Sequence, residues 1–293
     1  MMITICNDFL QARIDTLGAQ LTALSSKGGT QYLWNADPEY WRESAPVLFP
    51  FVGRLKDGAH TVDGASYPMK IHGFASVCEF AVEVQTTDSV TLTISDSAQT
   101  RTSYPFAFDF SVTYSLRNSS LEITYKVANR DKRKISFGFG GHPGFNVPLA
   151  EGTVFEDYSL RFSAPCTPDR VGFAGDLLIS GIDTPYPLAN GHSIPLTHAL
   201  FDDDAIILKN VVREVSLVSD KTDKSVTVSF PDMPYVGFWH KPNSDAPFVC
   251  IEPWLSLPGR HDIDEDFSTR SDLVHLAPGM VYENRWSITI SEG

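Results

Sequence analysis

Cysteine is scarce and scattered in this chain. Cys6, Cys78, Cys166 and Cys250 stand far apart, with no CxxC pair among them. Sequestered free thiols in a reducing compartment are expected, and a disulfide or zinc framework is not. Basic residues are also short: 23 Lys and Arg against 36 Asp and Glu give a formal net charge of -13. That balance lacks the basic footprint of a nucleic-acid partner and leaves a small neutral ligand open. No run approaches the ~20 apolar residues of a membrane span. Met1 to Asp8 lacks the basic-then-apolar order of a secretory signal. The expectation is a soluble cytoplasmic protein with no nucleic-acid or membrane partner.

Helical periodicity is scarce as well. Asp37-Pro38-Glu39-Tyr40-Trp41 offers an N-cap aspartate with proline behind it, enough for one short turn. Strand patterns fill the gap. Phe108, Phe110, Val112, Tyr114 and Leu116 alternate with polar residues, Leu121, Ile123, Tyr125 and Val127 do the same, and Arg117 to Ser120 forms a turn between them. This predicts an antiparallel hairpin with one buried face. Val90 to Ile94, Val226 to Phe230 and Trp286 to Ile290 repeat the signal, so sheets packed face to face are expected. No polar linker divides the chain. Even Pro165 to Pro195, rich in Pro and Gly, keeps Phe173, Leu177 and Ile179 as apolar anchors. One all-β domain over 1–293 is expected, with a core large enough to need no disulfide or metal.

The stretch Phe248-Val249-Cys250-Ile251-Glu252-Pro253-Trp254 starts as a core strand and delivers one carboxylate beside a proline and an indole. Pro253 biases Glu252 towards extended backbone. In Gly138-Phe139-Gly140-Gly141-His142-Pro143-Gly144-Phe145-Asn146, a proline stands where a GxGxxG motif needs its last glycine, and no helix follows. Nucleotide binding is therefore rejected, and the glycines are read as permitting tight turns and close backbone approach. His142 precedes a proline just as Glu252 does. Two proton-transfer groups are thus both expected at strand ends. Pro46 to Arg54 is an apolar run closed by an arginine, and Ile71-His72-Gly73-Phe74 sets a histidine beside a glycine and an aromatic. Asp262, Asp264 and Asp266 have calcium-loop spacing, but Phe267 and Leu273 occupy the positions that need Gly and Glu, so a solvated loop is expected. Asp202, Asp203 and Asp204 instead run straight into the strand Ala205 to Leu208.

Taken together, Leu33-Trp34-Asn35, Phe51-Val52-Gly53-Arg54, Ile71-His72-Gly73-Phe74, Gly141 to Asn146 and Cys250 to Trp254 resemble the aldose 1-epimerase (galactose mutarotase-like) superfamily. The likeness is closest to its LacX-type branch and spans nearly the whole chain. It implies a large antiparallel β-sandwich whose curved sheet forms an open sugar cleft, and a small-molecule sugar as partner. It also implies a catalytic base at Glu252, a catalytic acid at His142, and sugar-orienting roles for Arg54 and His72. The family's aspartate at the start of a strand falls in the Asp203–Asp204 pair, with Asp204 favoured because it directly precedes Ala205. Gly53 replaces the usual asparagine and Phe74 the usual second glycine, both beside sugar contacts, so galactose does not carry over as the substrate.

The implied reaction interconverts α and β anomers. A base takes the C1 hydroxyl proton, an acid protonates the ring oxygen, and the opened aldehyde recloses on its other face, without metal or cofactor. Burial is expected to raise the Glu252 pKa, and a nearby carboxylate to keep His142 charged. Three alternatives stay open. A hexose-6-phosphate 1-epimerase needs more cations, for which Arg42 and Lys56 are candidates. A non-catalytic carbohydrate-binding protein needs neither Glu252 nor His142. A glycoside hydrolase needs two facing carboxylates, as Glu252 and Asp204 could be. Edge strands leave monomer and homodimer equally open.

Overall fold

The computed structural model describes residues 1–293. Its hairpin Phe108–Arg117 and Ser120–Asn129 forms in the expected place, with Ile123 opposite Tyr114 and Tyr125 opposite Val112. Around it a nine-stranded antiparallel sheet runs in the spatial order Ser193–Pro195, Tyr158–Phe162, Glu214–Ser219, Thr222–Ser229, Val281–Ser291, Ser120–Asn129, Phe108–Arg117, Ser89–Ser95, Ala81–Gln85. Alternation explains why it holds. One face buries Phe110, Val112, Ile123 and Ile288. The other presents hydroxyls that pair across strands, such as Thr91 with Thr113 at 2.9 Å and Ser216 with Thr227 at 2.7 Å. Each such pair adds a few tenths of a kcal/mol to about 1 kcal/mol, against roughly 1.5–3 kcal/mol for each large apolar side chain buried. The apolar face dominates.

A second antiparallel sheet lies over that face. Its order is Thr184–Pro185, Asp169–Arg170, Ile206–Lys209, Tyr235–Trp239, Phe248–Trp254, Gly140–Gly141, Val47–Leu48, with Gly144–Asn146 also paired to Phe248–Trp254. One apolar cluster joins Val112, Ile123 and Ile288 of the first sheet to Val236, Phe238, Val249 and Ile251 of the second. The molecule is a β-sandwich. Smaller additions are a three-stranded sheet (Met2–Cys6, Leu10–Asp15, Gln20–Ser26) and two short strand pairs. Helical structure is confined to five 3-10 turns. At Asp37 the chain makes the expected single turn, its carbonyl accepting from the Tyr40 and Trp41 amides. No helix is long and apolar enough to cross a membrane. The stretch from Pro165 to Pro195 is ordered and gives short strands to both sheets.

Side chains alternate along Phe248–Trp254 as they must in a strand. Val249 and Ile251 enter the main core. Phe248 and Cys250 turn the other way, under Trp34, Trp41 and Trp239, and Glu252 and Trp254 follow them to face a cleft.

Candidate active site

Gly140 pairs with Trp254, and Gly144 with Cys250. Those two flanking pairs put His142 directly across from Glu252 on the neighbouring strand. The glycines make the close approach possible: a Cβ on Gly140 would lie 2.7 Å from the Trp254 ring, and one on Gly141 2.5 Å from Trp286. Cross-strand neighbours have Cβ atoms about 4.5–5.5 Å apart, and the side chains close the rest of the gap. His142 Nε2 lies 3.1 Å from Glu252 Oε2, with side chains 11% and 1% exposed. The approach is not aligned as a hydrogen bond, which leaves Glu252 Oε2 buried without a partner; the other imidazole nitrogen, His142 Nδ1, is also buried without one. Trp41 lies over the imidazole at 5.0 Å between ring centroids, and Trp239 meets it edge-on at 5.8 Å.

Burial governs the charges here. It pushes the Glu252 carboxyl well above its ordinary range, and the nearby Asp204 adds to the rise. The Trp254 indole N–H lies near enough to oppose that shift but is not placed to hydrogen-bond. Burial also pushes His142 well below its ordinary value, helped by His72. The expectation that a neighbouring carboxylate keeps His142 charged is therefore overturned. With both groups stripped of water, burial favours the uncharged form of each.

His72 and Arg54 form one wall. The Gly53 N–H donates to His72 Nδ1 at 3.1 Å, which leaves Nε2 as the ring's protonated nitrogen. The His72 ring stands edge-on to His142 at 5.5 Å. Burial, then the Arg54 charge, lowers the His72 pKa to about 4, so it is a neutral donor at pH 7. Gly53 adopts φ 76°, and a Cβ there would meet the Pro258 ring at 2.5 Å. The asparagine usual at this position would have to displace Pro258. Phe74, the other departure, points into the core against Phe49 and Phe108 and takes no part in the cleft.

All five residues singled out from the sequence, Arg54, His72, His142, Asp204 and Glu252, line one cleft of about 480 Å³. Of the aspartate pair, Asp204 lines it and Asp203 is exposed. Arg42 and Lys56 are absent from the lining, and Lys56 is held by Asp264 at 2.8 Å. Sequence reasoning missed Trp41, Glu43, Phe173, Leu177 and Trp239 as lining residues. Of these, Phe173 and Leu177 stood out beforehand only as apolar anchors and Trp41 only as the end of the turn at Asp37.

Solved structures put this architecture in the galactose mutarotase-like class. A galactose mutarotase related enzyme from Lactobacillus acidophilus is 36% identical with a TM-score of 0.94, spanning 99% of this chain and 97% of that one. A galactose mutarotase-like protein from Lactobacillus casei is 32% identical with a TM-score of 0.93, spanning 99% and 100%. The plasmid and chromosomal LacX proteins of Lactococcus lactis subsp. lactis are each 34% identical, over 99% of both chains. Residues 1–288 match the family model for aldose 1-epimerase, and the chain belongs to that family.

Proposed function

We propose that this protein is an aldose 1-epimerase that interconverts the α and β anomers of an unphosphorylated aldose. The observation that carries the reading is the juxtaposition of Glu252 and His142, 3.1 Å apart at the floor of a cleft lined by indoles and polar groups. The reaction starts from the form of the pair in which Glu252 is the carboxylate and His142 the imidazolium. Glu252 then takes the C1 hydroxyl proton while His142 delivers its own to the ring oxygen. The C1–O5 bond breaks, the aldehyde turns about C1–C2, and reclosure runs the two transfers in reverse. General acid–base assistance of this kind is worth about 10²–10⁴-fold.

His72 Nε2–H, Arg54 and Asp204 fix the hydroxyls. A guanidinium offers several donors in rigid geometry, and a carboxylate accepts. Arg54 is the one permanent cation in the lining of the cleft, which also holds the carboxyl groups of Glu43, Asp204 and Glu252. That balance favours a neutral sugar over a sugar phosphate. We read the chain as one domain, since the cleft draws on strands of the second sheet from Val47–Leu48 across to Ile206–Lys209 and on loops from the first half of the chain. Saturation-transfer NMR of anomeric protons across a panel of aldoses and their 6-phosphates tests the reading. Exchange is expected with at least one neutral aldose, and exchange confined to the phosphates would overturn the substrate class.

A further inference from the structure

Glu43 lines the cleft, yet neither the proton transfers nor the fold employs its carboxylate. It sits in an irregular strap, Trp41 to Pro46, that is pinned from several sides. The Trp34 indole N–H donates to the Trp41 carbonyl at 2.9 Å. The Ser44 and Ala45 amides donate to Gln20 Oε1 at 2.9 and 3.4 Å. The Ser44 carbonyl accepts from the Gly144 amide at 2.8 Å. Every one of these strap bonds uses main-chain atoms of the strap, and none uses the Glu43 side chain. The strap is thus fixed to Gly144, which pairs with Cys250, and its position is tied to both strands of the His142–Glu252 pair.

The Glu43 side chain is half-buried. Loss of water, with no charge or hydrogen bond set against it, pushes its pKa up. A carboxylate that folding has partly desolvated and left unpaired costs stability. Such a cost is recovered when a ligand supplies the missing donors. The indole of Trp41, two residues before it, covers His142, so the strap brings an apolar face and an acceptor to the same end of the cleft. A pyranose presents both matching features: a C–H face for the indole and hydroxyls for the two carboxylate oxygens. Charge-assisted hydrogen bonds of this kind are roughly twice as strong as neutral ones.

We propose that Glu43 is a substrate-binding residue that accepts hydrogen bonds from sugar hydroxyls away from C1 and the ring oxygen. The assignment rests on the sugar-cleft reading and does not depend on which groups move protons. Because the contact is made equally before and during ring opening, it acts on affinity and leaves the chemical step alone.

The test pairs turnover with binding of methyl glycosides, which lack the free C1 hydroxyl and bind without reacting. Glu43→Ala is expected to raise KM for the preferred aldose about tenfold and to weaken methyl glycoside binding by a similar factor, with kcat within twofold of wild type. Glu43→Gln, which keeps one acceptor, should lie between. Against the deoxy sugar that lacks the contacted hydroxyl, the Ala and wild-type proteins should bind alike. Melting temperature should not fall in either variant; a lowered melting temperature with unchanged affinity would make Glu43 structural and overturn the proposal. Loss confined to kcat would overturn it too. If wild type binds glycosides but does not exchange anomers, the proton-transfer reading fails while Glu43 stands. If it binds no sugar, both fall.

Discussion

In the nine-stranded sheet, strands reach eleven residues and alternate buried with solvated positions. In the second sheet none exceeds seven residues, and Phe248–Trp254 is buried at every position. The first sheet has one face on the core and one on water. The second has one on the core and the other roofed by indoles or opening into the cleft. Regular strands make a rigid floor. Short strands interrupted by glycine and proline let side chains leave the ladder where chemistry needs them. One sheet supplies stability and the other supplies the site.

The sharpest way to break that division is Glu252→Gln. Turnover is expected to fall by about 10²–10⁴-fold with no loss in melting temperature, as followed by polarimetry and thermal unfolding. Near wild-type anomer interconversion would move the chemistry elsewhere. His142→Asn should lose kcat to a comparable extent, whereas a change confined to KM would make His142 a binding residue. The converse experiment belongs to the other sheet. Ile123 is wholly buried, and Ile123→Ala is expected to cost about 2–5 kcal/mol of stability in a denaturant titration. The kcat of the molecules still folded should be unchanged, and a loss there would mean the floor tunes the chemistry.

Gly53→Ala probes the seam between strap-like loops and the second sheet. The added Cβ must push against Pro258 from a left-handed backbone, disturbing the amide that orients His72. KM is expected to rise about tenfold, equivalent to about 1.4 kcal/mol, with a smaller change in kcat. The gentlest test is pH. His72 is held at about 4 against an ordinary 6.5, so the unfolded chain takes up its proton first as pH falls. The stabilisation is complete above 6.5 and is lost between 6.5 and 4, with a slope of at most about 1.4 kcal/mol per pH unit for this group. His60 and His240, also lowered by burial, add in the same direction. The raised carboxyls of Glu252 and Glu43 act in the opposite direction, so the His72 contribution is read as a difference: in urea titrations from pH 7 to pH 4, His72→Asn should lose less stability than wild type.

The same contrast explains what was readable in the amino-acid order. Phe108 to Val127 declared itself because a strand wet on one side must alternate. Phe248 to Trp254 was readable as a strand, and its glutamate and indole as a pair, because proline fixes the local backbone. Asp204 was favoured over Asp203 because it directly precedes the strand. Glu43 and Trp239 carried no such sign. Glu43 reaches the cleft through contacts of its strap with Gln20 and Gly144, which are remote along the chain. Trp239 ends a strand, Tyr235–Trp239, whose apolar run does not tell one face from the other. The His142 charge was misjudged because it depends on how completely water is shut out, a property of the assembled walls.

The register across Gly140–Trp254 and Gly144–Cys250 has a wider consequence. The spacing between Glu252 and His142 is inherited from the pitch of a peptide ladder, and no loop length enters into it. The rim of the cleft can therefore be recut by insertion, deletion or substitution while the separation of the two side chains stays the same. A protein built this way can change what it holds without relearning what it does.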